Sequence, residues 1–162
     1  MAYKRILVPV DGGETSAKGL SEAVKMARRG RAKLMLLHVV EEYSAFSAPE
    51  VGVDVGPLLE AMLGTGRKTL ARIERRVRSA GVRPETLMVE NVGGRVADEI
   101  VWQAKRWKAD LIVIGTHGRR GLQRALLGSD AELVARYSPV PVLLVPARGR
   151  GKPRKDQKDQ RR

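Results

Sequence analysis

The chain has 162 residues, 31 of them Lys or Arg and 18 Asp or Glu, with a formal net charge of +13 and no Cys. The lack of Cys excludes disulfides, thiolate metal sites and cysteine nucleophiles, and no apolar stretch approaches the roughly 20 residues that a membrane span needs. We expect one soluble, cytoplasmic domain with a hydrophobic core.

The first half of the chain alternates between apolar runs and helical stripes. Tyr3 to Val10 is a short apolar run that ends at Asp11-Gly12-Gly13, which predicts a strand and a turn. Apolar residues at spacings of three and four then predict a helix that ends near Gly30. Lys33 to Val40 is nearly all apolar, as expected for a strand that is covered on both faces. Glu41 to Gly56 has no periodicity and is predicted to be a long loop.

The second half continues the same alternation of helices and strands. Its predicted elements are a helix from Leu59 to Gly81, a strand from Thr86 to Val92, a helix from Ala97 to Trp107, a strand from Asp110 to Gly115, a helix from Ser129 to Tyr137 and a strand from Val140 to Val145. Such an order predicts a single-domain α/β fold, with a five-stranded parallel sheet and helices on both faces, similar to a Rossmann fold.

Ligands of such sheets bind outside the carboxyl ends of the strands, where the strand order reverses. The first strand ends at Asp11 and the fourth at Gly115. If these two strands are neighbours, both residues face one crevice.

The predicted domain covers residues 1–146, and residues 147–162 form a basic tail. The tail reads ARGRGKPRKDQKDQRR, with eight basic and two acidic residues and no apolar periodicity, which predicts disorder. Two interpretations are open: the tail makes weak contact with nucleic acid, or it only keeps the protein soluble.

The stretch GTHGRRGLQRALLGSD combines glycines with the start of a helix. Gly115 and Gly118 flank a turn that leaves a strand, and Gly128-Ser129 opens a helix, whose N-terminus attracts anions. Arg119 adds positive charge, as do Arg120 and Arg124. These features suit a phosphate chain. The alternative is a capping box, in which Ser129 and Glu132 bond to backbone N–H groups without any ligand.

The spacing of these glycines resembles that of the universal stress protein family, whose nucleotide-binding members carry G-x2-G-x9-G-[ST]. The pattern is met by Gly115, Gly118, Gly128 and Ser129. The resemblance extends to the segments ILVPVDGGETSAKGL, LLHVV, ADLIVIGTHGRRGL and SPVPVLLVP, and it covers roughly residues 3–146. It implies the fold of adenine nucleotide α-hydrolases and ATP, or another adenine nucleotide, in the crevice.

The resemblance also implies which residues surround the nucleotide. They are Pro9, Val10, Asp11 and Val39 near the adenine and ribose, Gly115, Thr116, Gly118 and Arg119 near the ribose and phosphates, and Gly128, Ser129 and Asp130 at the phosphate tail. Asp11 is also a candidate ligand of Mg²⁺. Two positions depart from the family: Gly13 replaces a common serine, and Asp130 brings a carboxylate near the expected phosphates.

We therefore expect an ATP-binding sensor or regulatory module of the stress response, with slow ATP hydrolysis at most and no assigned catalytic residue. His38 is expected to be a hydrogen-bonded core residue. In the resembled family the strand that corresponds to Val140 to Val145 pairs across a two-fold axis, so a homodimer is expected.

Two other functions are open. The segment DGGETS has the outline of the pyrophosphatase loop of α-hydrolase-type enzymes, although Asp11 and Thr15 replace the serine and the acid of that loop. The alternative is a nucleic-acid-associated protein that uses the tail and the basic run from Arg67 to Arg78.

Overall fold

A computed structural model describes residues 2–41, 55–91, 93–116 and 127–146. The elements are β1 (Arg5–Pro9), α1 (Glu14–Gly30), β2 (Lys33–Glu41), α2 (Gly56–Ser79), β3 (Glu85–Asn91), α3 (Val96–Arg106), β4 (Leu111–Gly115), α4 (Ser129–Tyr137) and β5 (Val142–Val145). The predicted alternation of strands and helices is therefore confirmed. Most of the predicted long loop, residues 42–54, lies outside the described residues, as do residue 92 and the tail.

The five strands form one parallel sheet in the order β3-β2-β1-β4-β5. β1 lies at the centre, where Leu7 pairs with Met35 of β2 on one side and with Ile112 of β4 on the other. Successive strands are added on one side up to β3 and on the other side from β4 onward, so the strand order reverses between β1 and β4. The expected neighbourhood of the first and fourth strands is confirmed.

The core consists of one apolar layer on each face of the sheet. Successive residues of a strand point to opposite faces, so Ile6 and Val8 pack against α1 and α2, whereas Leu7 packs against α3 and α4. All three side chains are fully buried. This explains why the strands are nearly continuous apolar runs: each strand faces helices on both sides.

Three strands begin later than predicted: β1 at Arg5, β4 at Leu111 and β5 at Val142. Before the last two, polar side chains bond to the backbone. The Asp110 carboxylate accepts hydrogen bonds from the N–H groups of Lys4 (2.7 Å) and Arg5 (2.9 Å), so β4 begins one residue later. Before β5, the Ser138 hydroxyl donates to the Val140 carbonyl at 2.7 Å and accepts from the Val140 N–H at 3.2 Å. This local turn delays β5 to Val142. Within the described residues, no helix has the length and apolar character needed to cross a membrane.

Candidate functional site

The carboxyl end of β1 is held in place by its neighbour β2. The Val10 N–H donates to the Leu37 carbonyl at 2.8 Å, and Nδ1 of the buried His38 lies 2.6 Å from the Val10 carbonyl. A carbonyl oxygen only accepts hydrogen bonds, so Nδ1 carries the proton. The expectation of a hydrogen-bonded core histidine is confirmed. Val10 itself is buried, and its side chain belongs to the apolar layer that contacts α1 and α2.

Asp11 forms a turn on its own backbone directly after β1. Its Oδ1 accepts a hydrogen bond from the Gly13 N–H at 2.7 Å, which is the geometry of an Asx-turn. A Cβ on Gly13 would lie 3.1 Å from the same oxygen, so a side chain at Gly13 would crowd the carboxylate. The Asp11 N–H donates to the Ser16 hydroxyl at 3.2 Å. These bonds fix the partly buried Asp11 at the start of α1.

Gly115, the last residue of β4, touches the backbone of α1. A Cβ on Gly115 would lie 2.7 Å from the carbonyl carbon and oxygen of Thr15 and 3.0 Å from the Ser16 nitrogen. One turn further along α1, a Cβ on Gly19 would lie 3.2 Å from the Gly115 nitrogen. Helix and strand approach so closely only because both residues are glycine. Sequence analysis missed this packing role of Gly115.

Ser16 connects the two strand ends that the strand order brings together. Its hydroxyl accepts from Asp11, while its backbone nitrogen lies against Gly115. Asp11 and Gly115 therefore do lie at one crevice, on either side of the first turn of α1. Sequence analysis did not assign Ser16 to the site. The sequence feature that could have indicated this role is a hydroxyl residue in the first helical turn after an Asp-Gly pair.

The start of α4 is tied to the same strand end. The Gly128 N–H donates to the Thr116 carbonyl at 2.6 Å, and the Thr116 N–H donates to the Val145 carbonyl of β5 at 3.0 Å. Gly115-Thr116 is thus joined to α1, α4 and β5. The N-cap Gly128 therefore lies at the carboxyl end of β4, the strand that neighbours β1, and Ser129 and Asp130 follow it in the first turn of α4.

The capping-box interpretation of Ser129 is wrong. Ser129 is the first helical residue, and the N-cap is Gly128, which has no side chain to cap the helix. The Glu132 carboxylate lies 3.5 Å from Arg136 on the next turn, and the Glu132 N–H donates to the Gly128 carbonyl at 2.9 Å. The first turn of α4 therefore lacks the reciprocal side-chain bonds of a capping box.

Two helix N-termini meet at this crevice without side-chain caps. The N-cap of α1 is Gly13 and that of α4 is Gly128. The first bond within α1 runs from Ala17 to Gly13, and the first within α4 from Glu132 to Gly128. In α1 the N–H groups of Glu14, Thr15 and Ser16 precede this first bond and therefore have no partner within the helix. Together with the two helix dipoles they favour an anion.

The acidic residues of these first turns are exposed and differ in their contacts. The Lys18 ammonium, which bonds Glu14 at 2.7 Å, lowers the pKa of the Glu14 carboxyl below its ordinary value. No group of three or more His, Asp or Glu side chains able to hold a metal ion occurs in the described ranges. A cation at Asp11 would accordingly need further oxygen ligands from phosphate or water. Gly118, Arg119 and the other residues from 117 to 126 lie outside the described residues.

Comparison with known proteins identifies relatives along nearly the whole chain. The family model of the universal stress protein family matches residues 2–146. Universal stress protein MJ0531 of Methanocaldococcus jannaschii is 36% identical over 143 residues, which cover 88% of this chain and 82% of that protein. Universal stress protein YxiE of Bacillus subtilis is 32% identical over 149 residues, covering 88% of this chain and 99% of that protein.

Solved structures share the fold, and some of them contain an adenine nucleotide. Universal stress protein UspA from Lactobacillus plantarum superposes with a TM-score of 0.76 at 26% identity, over 90% of this chain and 99% of that one. A universal stress protein in complex with cAMP superposes with a TM-score of 0.62 at 27% identity, over 90% of this chain and 98% of that one. The universal stress protein from Archaeoglobus fulgidus in complex with dAMP superposes with a TM-score of 0.62 at 25% identity, over 90% of this chain and 99% of that one.

Proposed function

The chain belongs to the universal stress protein family, and on this basis we propose that it binds an adenine nucleotide, with ATP as the expected ligand, across the carboxyl ends of β1 and β4. The observation that carries the proposal is the meeting of two uncapped helix N-termini, those of α1 and α4, at the point where the strand order reverses. Parallel sheets bind ligands at such points, and the complexes of two relatives with cAMP and dAMP support an adenine nucleotide.

The strand ends supply the surface for the nucleoside. Pro9 and Val39 are half-buried near the ends of β1 and β2, and we assign them to the adenine. The N–H and carbonyl groups of Val10 already bond to Leu37 and His38. We therefore assign Val10 the role of holding the end of β1 in place beside the nucleotide. Of the Asp11 carboxylate, Oδ1 is bonded to Gly13, which leaves Oδ2 to accept a ribose hydroxyl.

The phosphates follow the chain from β4 to α4. We assign Gly115, Thr116, Gly118 and Arg119 to the ribose and the first phosphates, and Gly128, Ser129 and Asp130 to the phosphate tail. Gly128 has φ −63° and ψ 147°, a conformation that every residue adopts, so its backbone does not require glycine. A side chain at this position would instead stand beside the first turn of α4, where we place the phosphates.

Magnesium fits this site only together with the nucleotide. Mg²⁺ is held by a few carboxylates, substrate phosphates and water, and Asp11 offers one carboxylate at the strand end. When bound, the ion would neutralise phosphate charge. Asp11 would hold it, and the α1 N-terminus would orient the phosphates beside it.

The regulatory role that we propose uses the edge of the sheet. Among the described strands, β5 pairs with β4 alone. Leu143 on β5 is 38% exposed, and Tyr137 of α4 is 55% exposed. An apolar edge strand is a template for pairing with another strand. We propose that two copies pair through Val140 to Val145, and that nucleotide occupancy alters this homodimer in the cytoplasm during stress.

Calorimetric titration with ATP and Mg²⁺ tests the proposal, after acid extraction shows whether nucleotide co-purifies. Asp11→Asn keeps the acceptor for the Gly13 N–H and removes the charge, so the turn should survive while binding weakens about tenfold or more. Glu22→Gln on α1, whose partner is Lys25, is the matched control and should bind like the parent. A folded, nucleotide-free protein that binds neither ATP, cAMP nor dAMP would contradict the proposal.

A further inference from the structure

The helices on the two faces of the sheet differ strongly in charge. α1 and α2 together carry ten basic and four acidic residues, whereas α3 and α4 carry three basic and four acidic residues. The excess of positive charge within the helices is therefore confined to the α1/α2 face. It lies in the domain itself and is separate from the charge of residues 147–162.

Much of this charge is unpaired within the described part of the chain. Ion pairs neutralise Lys18, Lys25, Arg67 and Arg78 through acidic residues of the same helix. Six other basic side chains of these two helices have no carboxylate within 4.0 Å among the described residues. One is Arg29 of α1, and the other five are Arg28, Lys68, Arg72, Arg75 and Arg76. We call these five residues the basic patch.

The arrangement of the basic patch opposes helix stability. Lys68, Arg72 and Arg76 follow one another at a spacing of four, which stacks like charges on one side of α2, and such pairs destabilise a helix. Arg75 lies three residues after Arg72 and is also exposed. α1 instead places Glu14 four residues before Lys18, the favourable order. An anionic partner would relieve the repulsion in α2.

The patch continues from α2 to α1 across a groove between the two helices. The groove has a volume of about 260 Å³, and Arg76 lines it from α2 while Lys25 and Arg28 line it from α1. Its apolar lining comes from the nearly fully buried Leu20 and Val77 and from the partly buried Ala17, Val24 and Ala80. The groove thus combines basic side chains with a mainly apolar lining.

The surroundings of the patch favour a phosphate backbone as the partner. No large apolar side chain of α1 is strongly exposed, and the exposed Leu58 lies ten residues before Lys68, the first patch residue of α2. That separation is about 15 Å at 1.5 Å per residue. Insertion into a membrane and stacking on unpaired bases both use such side chains. We propose that the basic patch binds the backbone of duplex nucleic acid without reading its sequence.

The dimensions of the patch agree with a duplex. Lys68 to Arg76 extends about 12 Å along the helix axis, and one strand of a duplex presents a phosphate about every 3.4 Å. The patch therefore faces three or four phosphates of one strand. Each contact contributes about −0.9 to the slope of log K against log salt concentration.

The test is the binding of a fluorescent 20-base-pair DNA duplex to the full chain at several salt concentrations. The patch variant combines Arg72→Gln, Arg75→Gln and Arg76→Gln. Its matched control combines Lys105→Gln, Arg106→Gln and Arg136→Gln on the opposite face, with the same change in net charge. A third variant replaces the eight basic residues of 147–162 by Gln. Circular dichroism checks that every variant is folded.

We expect the patch variant to lose about 10²-fold in affinity at 0.1 M salt and to have a salt slope that is smaller by about 3. The opposite-face control should keep the slope of the parent. Equal losses in the patch and control variants would overturn the proposal, as would a loss confined to the tail variant. Tighter binding to vesicles of anionic phospholipid than to the duplex, abolished by the same three substitutions, would assign the patch to membranes instead.

Discussion

The helices α1 and α4 begin at the same edge of the sheet, and both have a glycine N-cap, yet their surroundings differ. The first turn of α1 is packed against Gly115 and is bonded to Asp11 through Ser16. The first turn of α4 is joined to β4 by one backbone bond, from Gly128 to Thr116, and its next two residues are exposed. Two glycines of one sequence motif therefore differ: Gly115 is required for close packing, whereas the backbone conformation of Gly128 would suit any residue.

The largest effect should come from filling the packed contact. In Gly115→Ala the new methyl group would lie 2.7 Å from backbone atoms of Thr15, and α1 would have to move. We expect a loss of about 3 kcal/mol in the free energy of unfolding, measured in urea. Gly64→Ala in α2 is the control, because nothing lies within 4 Å of its Cβ, and it should be about 0.5–1 kcal/mol more stable. Equal stability of Gly115→Ala and the parent would refute the close approach.

The second largest loss of stability should come from removing the hydrogen bond between His38 and the Val10 carbonyl. His38→Ala leaves the Val10 carbonyl without its imidazole donor and opens a cavity beneath Gly66, so about 2 kcal/mol should be lost in urea unfolding. His38→Phe restores a ring without the N–H group and separates the two causes. If both variants lose the same stability, the hydrogen bond is the main contribution. Full recovery in His38→Phe would mean that only packing matters.

Gly128→Ala should separate stability from binding. Because the backbone of Gly128 suits any residue, the free energy of unfolding should change by less than about 0.5 kcal/mol. If the space beside α4 holds phosphates, ATP affinity should fall about tenfold, as measured by calorimetry. Ser21→Ala, on the exposed side of α1, serves as the control for binding. Unchanged affinity would mean that the space at Gly128 has no role in the ligand site.

The smallest effect should come from Glu14, in the first turn of α1. Lys18 lowers the pKa of the Glu14 carboxyl from its ordinary value of 4.5. The stabilisation is therefore present above that value and is lost as the pH falls through the lowered pKa. Glu14→Gln should melt slightly below the parent at neutral pH and together with it in strong acid. A difference in melting temperature that grows toward low pH would contradict this sign.

Periodicity predicted the fold well, because each strand is covered on both faces and each helix has one apolar side. The spacing left open whether β1 and β4 are neighbours, and the strand order of the sheet shows that they are. Contacts between distant segments could not be predicted in the same way. The local sequence from Ser129 to Glu132 is compatible with a capping box. The hydrogen bond from the Gly128 N–H to the Thr116 carbonyl, however, determines where α4 begins. Similarly, the need for glycine at positions 19 and 115 becomes clear only from the position of α1 against β4.

Thr116 connects the candidate site with the edge strand β5. Its carbonyl accepts from Gly128 at the start of α4, and its N–H donates to Val145 at the end of β5. A shift of α4 by a fraction of an ångström would thus reach the edge strand through a single residue. In the proposed function, nucleotide binding and strand pairing would both depend on the position of Thr116, and a substitution that changes only this position would leave both surfaces intact while uncoupling them.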